Sequence, residues 1–478
     1  MIILLGLYIS FVGILIIVAA DLIITILIMN RLKQLQKNVN NLVLQKEESE
    51  VPSSLDDIPD KEVPTEPKIS VIEKPIEETQ KTDAPFKTNK EKVLEAIQEI
   101  KEVQEEDLPK VCKGLSAYYA KYTNEDYTKD LSSKSYFRFI DLSSQPDTRV
   151  VIIGDIHSDF NSLAAILLKL TISEYDYFDK AIFIFLGDYL DRGSTLFEPL
   201  MLLKSLKEIM GDRMIILKGN HESVSYDKDK QQITTKVTPN QSCVCLNEYC
   251  TKDQEFLRLF ASFYNTLPIY IYLKTTEKNV LLTHAAIPRD KFLDSIHFDD
   301  VSGHIAFESN VPMSDRLKIR NTILKDMIWG DPSEYDEKIQ TEGRFEFGSK
   351  QFERFTKLNH IGLLFRSHEE AAKGYKSFYE NRLYTIFSTG NHDNFQTGYP
   401  SVEPAFAVIQ GNQVFIENSY VYKILIEGTI NVVNLFNKQK YSDKQYEYLK
   451  LNDEFMCNEE KGKLIREVFK DVQAAFPS

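Results

Sequence analysis

Cysteine and positive charge are both scarce in this chain. Five cysteines among 478 residues are too few for a disulfide-stapled scaffold, and they fit a reducing compartment. Lysine and arginine number 57 against 71 aspartates and glutamates, so the formal net charge is −14. Because nucleic-acid binders carry a basic patch or stripe, this balance argues against a nucleic-acid partner. The hydrophobic content of 43% allows a sizeable core.

Charged residues are missing from the first 20 positions. Residues 2–20 are apolar or small, and residues 22–29 continue in the same way after Asp21. At about 1.5 Å of helix per residue, this run nearly crosses a hydrocarbon core about 30 Å thick. A cleavable signal peptide would need a basic start, which is absent, and a buried core helix would rarely be so uniformly apolar. We expect an N-terminal transmembrane helix over residues 1–29.

The segment after the apolar run indicates topology. Three basic residues follow it, namely Arg31, Lys33 and Lys37. The positive-inside tendency therefore predicts a single-pass protein with the bulk of the chain, C-terminal to the apolar run, in the cytosol. Leucines and valines over residues 32–42 then recur at intervals of three and four, but for only about two heptads. A short helical stalk that pairs two anchors into a weak homodimer and a frayed extension of the membrane helix both fit this pattern.

Residues 46–87 contain six prolines and a dense mixture of glutamate, aspartate and lysine. Such a composition buries too little apolar surface to offset the entropy of ordering. We expect the stalk and the disordered tether together to occupy residues 30–87. They would hold the folded part of the chain near the membrane and still allow it a considerable reach.

The pattern of an ordered domain begins at Thr88. Thr88 and Glu91 have capping-box spacing and open an expected helical extension, residues 88–148. Over residues 149–423, short apolar runs end in charged or histidine-bearing turns and alternate with longer helical patterns. This alternation predicts a layered α/β domain with its site at the C-terminal edge of the strands. Residues 424–478 are expected to form a C-terminal helical extension.

Five predicted strands are followed by turns whose side chains can bind metals. In chain order the turns are Gly154-Asp155-Ile156-His157, Gly187-Asp188-Tyr189-Leu190-Asp191-Arg192-Gly193, Gly219-Asn220-His221-Glu222, Thr283-His284 and Arg366-Ser367-His368. An isolated histidine is more often packed or solvated than a ligand. Four of the eight histidines lie in these turns, however, and five matching turns in succession argue against that interpretation.

These side chains suit a pair of metal ions. Two cations about 3.5–4 Å apart can hold a bridging hydroxide and stabilise the attacking and leaving oxygens of an in-line displacement at phosphorus. Carboxylate, carboxamide and imidazole ligands together favour two divalent ions of Mn, Fe or Zn over Mg or Ca. The pattern therefore predicts a two-metal phosphomonoester hydrolase.

Residues 149–423 resemble the phosphoprotein phosphatase branch of the calcineurin-like metallophosphoesterases. That family shows G-D-x-H-G, G-D-x-V-D-R-G, G-N-H-E, H-G-G and R-x-H turns in this order. Further matches are Thr266-Leu267-Pro268-Ile269 and Trp329-Gly330-Asp331-Pro332. The resemblance implies an α/β fold, a β-sandwich flanked by helices, and a Ser/Thr protein phosphatase acting on phosphoprotein substrates.

The resemblance also implies a role for each matching residue. One metal would be held by Asp155 and His157, and Asp188 would bridge both metals. The second metal would be held by Asn220, His284 and His368. His221 would protonate the leaving alkoxide, oriented by Asp191, while Arg192 would grip the phosphoryl oxygens. Substrate contacts are implied for Arg192, Asn220, Arg344 and His392.

Departures from the family pattern leave the ligands intact. His392 stands where the family has a substrate-contacting tyrosine, and the match around Arg344 is gapped, which affects substrate preference more than catalysis. An insertion covers Ser225–Asp253. Its three cysteines, Cys243, Cys245 and Cys250, lack a fourth nearby ligand and a recognised zinc spacing.

Two other functions fit the same motifs. A small-molecule phosphohydrolase, for instance on dinucleoside polyphosphates, would use the same turns. A membrane adaptor would use a catalytically dead phosphatase fold as a docking surface. The presence of all six expected ligands and of His221 argues against the adaptor.

Overall fold

The computed structural model describes residues 87–101, 105–250, 253–337, 344–390, 398–399, 402–419 and 422–423. The expected membrane helix, nearly all of the stalk and tether, the C-terminal extension and His392 lie outside these ranges. None of the helices in the described ranges is both long enough and apolar enough to cross a membrane.

Two mixed sheets form the centre of the domain, with strands numbered along the chain. The first has the order β1 (Phe137–Asp141), β7 (Tyr270–Lys274), β8 (Asn279–Thr283), β13 (Ile361–Arg366), β15 (Leu383–Ile386) and β14 (Tyr375–Phe378). The second has the order β17 (Gln413–Asn418), β16 (Ala405–Gln410), β2 (Arg149–Ile153), β3 (Ile182–Phe185) and β4 (Met214–Ile216). Strands β2, β3 and β4 are parallel to one another, as are β8, β13 and β15.

The sheets pack face to face, with helices on both outer sides. In β2, Val150 and Ile152 join a core shared with β8 and β13, whereas Val151 and Ile153 face the helices. Because successive side chains of a strand point to opposite faces, a strand buried on both sides reads as an unbroken apolar run. This explains why the central strands could be recognised in the sequence.

Seven helices pack in the cluster outside the five-stranded sheet and two outside the six-stranded sheet. The seven are α1 (Asn89–Lys101), α2 (Leu108–Tyr122), α3 (Phe160–Thr171), α4 (Tyr177–Lys180), α5 (Phe197–Met210), α6 (Gln241–Tyr249) and α7 (Gln254–Asn265). The two are α8 (Met313–Asp326) and α9 (Ser349–Leu358). The expected β-sandwich flanked by helices is confirmed.

The N-terminal extension begins with the expected capping box. The Glu91 carboxylate accepts a hydrogen bond from the backbone N–H of Thr88 at 2.7 Å, and the Thr88 hydroxyl accepts one from the backbone N–H of Glu91 at 3.3 Å. Near its end the extension also contributes β1, which pairs in parallel with β7 and becomes an edge of the six-stranded sheet.

The insertion between the third and fourth turns has its own structure. It consists of an antiparallel hairpin, β5 (Val224–Asp227) and β6 (Gln232–Thr235), followed by α6. Two further short ribbons pair β9 (Ile296–Phe298) with β10 (Ile305–Phe307), and β11 (Asp331–Pro332) with β12 (Glu346–Phe347). Single 3-10 turns cover Glu105–Asp107, Gly211–Arg213 and Asp290–Phe292.

Candidate active site

The five metal-type turns meet at one edge of the sandwich. They lie at or shortly after the C-terminal ends of β2, β3, β4, β8 and β13. The backbone N–H of His368 donates to Oδ1 of Asp155 at 3.2 Å, although the two residues are 213 positions apart. Parallel strands end at the same edge of a sheet, so distant residues are brought together there.

Several site residues have a left-handed backbone, which is uncommon for residues other than glycine. The φ angles are 45° at His157, 54° at Asp188, 69° at Asp191, 67° at Arg192 and 72° at His368. Such conformations cost free energy and persist where the surrounding structure imposes them, often at functional sites. Here they turn the chain sharply out of each strand towards the common centre.

Asp188 lies in the middle of the cluster. Its Oδ2 is 3.4 Å from Nε2 of His284 and 3.7 Å from Nε2 of His157. Two groups of potential metal ligands share this carboxylate, one with His157 and His221 and the other with His284 and His368. Within each group the ligand atoms lie within 4.8 Å of one another. Asp188 is therefore placed to contact two cations at once.

Two histidines have their tautomers set by backbone carbonyls. Nδ1 of His157 lies 3.0 Å from the Leu190 carbonyl, and Nδ1 of His284 lies 3.0 Å from the Leu186 carbonyl. A carbonyl can only accept, so each Nδ1 carries a proton and each Nε2 is directed towards the cluster. Burial lowers the pKa of His284, but the charge and the hydrogen bond of Asp188 outweigh it and raise that pKa to about 9, so a metal at Nε2 of His284 would displace a proton. Burial also lowers the pKa of His157 to about 3, which keeps that imidazole neutral.

Asp155 and His368 each have a buried polar atom without a hydrogen-bond partner among the described residues. These atoms are Oδ2 of Asp155 and Nε2 of His368. Burial and the neighbouring charge of Asp188 raise the pKa of Asp155 to about 6. A bound cation would reverse that unfavourable interaction and provide a partner for Oδ2 of Asp155.

The spacing of the donors also fits a metal centre. Asn220 Oδ1 and His368 Nδ1 lie 3.0 and 3.1 Å from Nε2 of His284. Separations near 3 Å are those of neighbouring ligands around a cation with bonds of about 2.0–2.1 Å. The arrangement could thus hold divalent ions through six side chains, namely Asp155, His157, Asp188, Asn220, His284 and His368.

His221 and Asp191 form a buried pair beside these ligands. Nδ1 of His221 lies 2.7 Å from Oδ2 of Asp191, which leaves Nε2 available to donate a proton. Burial lowers the pKa of His221, but the charge of Asp188 and the hydrogen bond to Asp191 more than offset this, and the net pKa is raised. A protonated imidazole in this position suits a general acid.

Glu222 ties two of the turns together. Its carboxylate accepts hydrogen bonds from three backbone N–H groups, those of Asp188 at 2.8 Å, Tyr189 at 3.0 Å and Gly219 at 2.9 Å. At Gly187 φ is +116°, and a Cβ there would lie 2.5 Å from the backbone nitrogen of Gly219. The second and third turns are therefore packed closely enough to require glycine at this contact.

The insertion contributes residues that sequence reasoning did not identify. In α6, the backbone N–H and hydroxyl of Ser242 donate to Oδ1 of Asp191 at 2.8 and 2.5 Å, and Gln241 accepts from the backbone N–H of Arg192 at 3.1 Å. No spacing in the sequence links position 242 to position 191. An N-terminal helix position bearing serine was the one available signal.

Tyr399 is a second residue that the sequence did not indicate. Its ring lies 5.5 Å from that of His157, and the Arg192 guanidinium lies 5.6 Å from its centre. The family pattern places an aromatic residue directly after Asn391, where this chain has His392. Here the described aromatic ring over the site comes from position 399.

Arg344 lies at the rim of the site with its side chain about half exposed. It donates to the Trp329 carbonyl at 3.1 Å and pairs with the Asp331 carboxylate. Arg366 is fully buried and donates to the same Asp331 at 2.8 Å. Asp331 therefore links the last metal-type turn to Arg344.

The cysteines of the insertion do not meet at a metal-type cluster within the described ranges. Cys243 and Cys250 are buried in the hydrophobic cluster outside the five-stranded sheet. The sulfur of Cys250 lies 3.6 Å from that of Cys112 in α2. Packing explains their burial.

Comparison with known proteins gives an independent assignment. The family model for calcineurin-like phosphoesterases matches residues 148–372. The serine/threonine-protein phosphatase 4 catalytic subunit of Saccharomyces cerevisiae is 26% identical over 252 residues, which span 52% of this chain and 71% of the relative. Serine/threonine-protein phosphatase SIT4 of Candida albicans is 26% identical over 304 residues, which span 62% and 84%.

Among solved structures, a protein serine/threonine phosphatase from Saccharomyces cerevisiae with similarity to human phosphatase PP5 matches with a TM-score of 0.47. Its sequence identity is 19%, and the match covers 66% of this chain and 90% of that one.

The matched family model and the convergent metal-type side chains define one class, and the chain carries a calcineurin-like metallophosphoesterase domain over residues 148–372. Within that class it is a metal-dependent phosphatase whose relatives are Ser/Thr phosphatases. The family resemblance and the enzyme class expected from the sequence are both confirmed.

Proposed function

We propose that this chain removes phosphate from phosphoserine and phosphothreonine in proteins, at a site holding two divalent ions. The observation that carries the proposal is the position of Asp188, whose Oδ2 lies between the two ligand histidines, 3.4 Å from Nε2 of His284 and 3.7 Å from Nε2 of His157. The named relatives, which are Ser/Thr phosphatases, support the same substrate class. The metals would supply charge neutralisation at phosphorus and activation of a water molecule.

His221 would act on the leaving group. As a water oxygen bonds to phosphorus, the bond from phosphorus to the seryl or threonyl oxygen breaks, and that oxygen needs a proton. Nε2 of His221 would donate it, while Asp191 accepts the hydrogen bond from Nδ1 and stabilises the charged imidazole. Ser242 would keep Asp191 in place.

Arg192 would orient the phosphoryl group. Its planar guanidinium suits two phosphoryl oxygens at once, and the ring of Tyr399 limits where the side chain can lie. Arg344, held by Asp331 and still half exposed, would contribute a second positive charge from the rim.

The test is a side-by-side assay of the full chain after removal of metal with a chelator. With Mn, Fe or Zn restored, we expect two equivalents of bound metal and hydrolysis of phosphoserine and phosphothreonine peptides. Exclusive hydrolysis of a dinucleoside polyphosphate would favour the small-molecule alternative. Metal binding without hydrolysis of either substrate would favour the adaptor.

We also propose that residues 1–29 anchor the enzyme in a membrane, with the catalytic domain cytosolic and the stalk and tether of residues 30–87 between them. The support is the uncharged run followed by basic residues. The full chain should remain in membranes after alkaline extraction, whereas a chain beginning at Thr88 should not. Recovery of the full chain in the soluble fraction would contradict the anchor.

A further inference from the structure

A deep groove opens beside the active site. Its volume is about 1150 Å³, larger than the roughly 300–1,000 Å³ of most small-molecule pockets. One wall is the β5–β6 hairpin of the insertion, and the other is formed by the end of α8 and the turn that follows it. A groove of this size between two elements suits an extended peptide better than a small molecule.

The groove is strongly basic in an acidic protein. Its described lining includes five basic side chains and one acidic one, Asp326, whereas the whole chain has a net charge of −14. The basic side chains are Lys236, Arg289, Lys291, Lys325 and Arg344. Concentration of one sign of charge in a concave surface raises the local concentration of oppositely charged ligands.

Asp326 is the one carboxylate in the described lining of the groove, and it lies among the basic side chains. Asp326 accepts a hydrogen bond from Arg289 at 2.9 Å. Burial raises the pKa of Asp326, and Arg289, followed by the charges of Lys291 and Lys325, opposes that shift. In the described lining this single carboxylate accompanies Arg289, Lys291 and Lys325 on one wall, and Lys236 stands on the opposite wall.

The groove adjoins the catalytic centre at two points. Trp329 lines it, and the Trp329 ring lies 6.1 Å from that of the potential ligand His368. Ser223, which directly follows the third metal-type turn, also lines it. A peptide with its phosphate at the metal-type cluster would therefore place flanking residues in this groove.

We propose that the groove binds a segment rich in aspartate or glutamate that flanks the phosphorylated residue, and so selects acidic phosphopeptides. This inference rests on the proposed protein phosphatase function. It assigns to the insertion a role in substrate choice, because Lys236 and one whole wall come from it.

The test uses the full chain and three phosphothreonine peptides that differ only in flanking glutamate, glutamine or lysine. Wild-type kcat/KM should be roughly ten-fold higher for the glutamate peptide than for the lysine peptide, with the preference shrinking as salt is added. In the groove variant K236E/K291E/K325E, the ranking of the three peptides by kcat/KM should be lost or reversed, chiefly through changes in KM. Hydrolysis of p-nitrophenyl phosphate, which does not extend into the groove, measures the catalytic centre separately.

A matched control is K113E/K180E/K373E, which makes the same change in net charge at exposed lysines outside the groove. It should retain the wild-type order. Equal activity on all three peptides, or an unchanged order in the groove variant, would overturn the inference and leave the proposed function standing. A wild-type enzyme that hydrolyses p-nitrophenyl phosphate but none of the peptides would overturn both.

One further result would contradict the inference. Higher kcat/KM on every peptide in the groove variant would mean that the basic side chains of the wild-type groove hinder peptide binding instead of supporting it.

Discussion

The strand-end turns and the insertion both supply the active site, but they do so differently. The turns present their side chains directly from β2, β3, β4, β8 and β13, and the two sheets fix their positions. The insertion reaches the site from outside the sandwich, and its contacts are with residues that already belong to the site. In α6, Ser242 donates a hydrogen bond to the Asp191 carboxylate, and Gln241 accepts one from the backbone N–H of Arg192.

The difference suggests a division of labour. Residues on the rim of the sheets would hold the metals and carry out the chemistry common to the family. The insertion would adjust the proton donor through α6 and the choice of substrate through the β5–β6 hairpin. If so, substitutions at the rim should abolish activity, whereas substitutions in the insertion should alter its rate and selectivity.

The largest effect is expected for Asp188→Asn at the rim. The amide keeps the shape but removes the charge shared by both ligand groups. We expect kcat to fall by at least about 10³-fold, and metal affinity to fall by more than the roughly 10–100-fold typical of residues that only support a ligand. Metal analysis and phosphopeptide assays measure the two effects. Retained hydrolysis with two bound metals would contradict the role of Asp188.

The second-largest loss of activity is expected for His221→Asn, and the size of that loss should depend on the leaving group of the substrate. Loss of a general acid typically costs about 10²–10⁴-fold. The cost should be large for phosphoserine peptides, whose alkoxide needs a proton, and much smaller for p-nitrophenyl phosphate, whose leaving group is stable without one. The ratio of the two losses is the measurement. Equal losses on both substrates would show that His221 does not protonate the leaving oxygen.

Most site residues of the strand-end turns could be predicted from the sequence, whereas the contacts that the insertion makes with the site could not. Strand, turn and ligand are neighbours along the chain, so Val150–Ile153 followed by Gly154-Asp155 was sufficient to identify both an element and a site residue. The contact between Ser242 and Asp191 spans 51 positions and depends on how α6 docks. Docking is determined by packing across the whole domain, which local periodicity does not encode.

Because packing across the domain cannot be read from local patterns, the positions of Tyr399 and Arg344 in the site were not predicted either. The sequence has His392 where the family has a tyrosine, and nothing in it indicated that the described ring over His157 would come from Tyr399. Arg344 was a candidate from a gapped match, and its attachment to Asp331 became visible only in three dimensions. The membrane anchor of residues 1–29 stays a prediction.

Ser242→Ala should have an intermediate effect. It removes one of two hydrogen bonds to Oδ1 of Asp191, and a hydrogen bond to a charged group contributes about 1.5–3 kcal/mol, so kcat should fall roughly ten-fold. The loss should again be greater for phosphoserine than for p-nitrophenyl phosphate, because it acts through His221. Ser242→Thr should restore most activity. Val244→Ala, on the exposed face of the same helix, is the control and should change neither rate.

The smallest effect is expected for Thr88→Ala, which removes the hydroxyl at the start of α1. That hydroxyl accepts from the backbone N–H of Glu91, and the lost cap should lower the Tm by no more than about 2–4 °C. Glu91→Gln preserves capping-box chemistry and should retain stability, whereas Glu91→Ala should not. Thermal unfolding gives the Tm, and kcat/KM on phosphopeptides should be unchanged in all three. A fall in activity without a change in Tm would mean that the N-terminal extension takes part in function. Activity would then depend on more than the strand-end turns and the insertion.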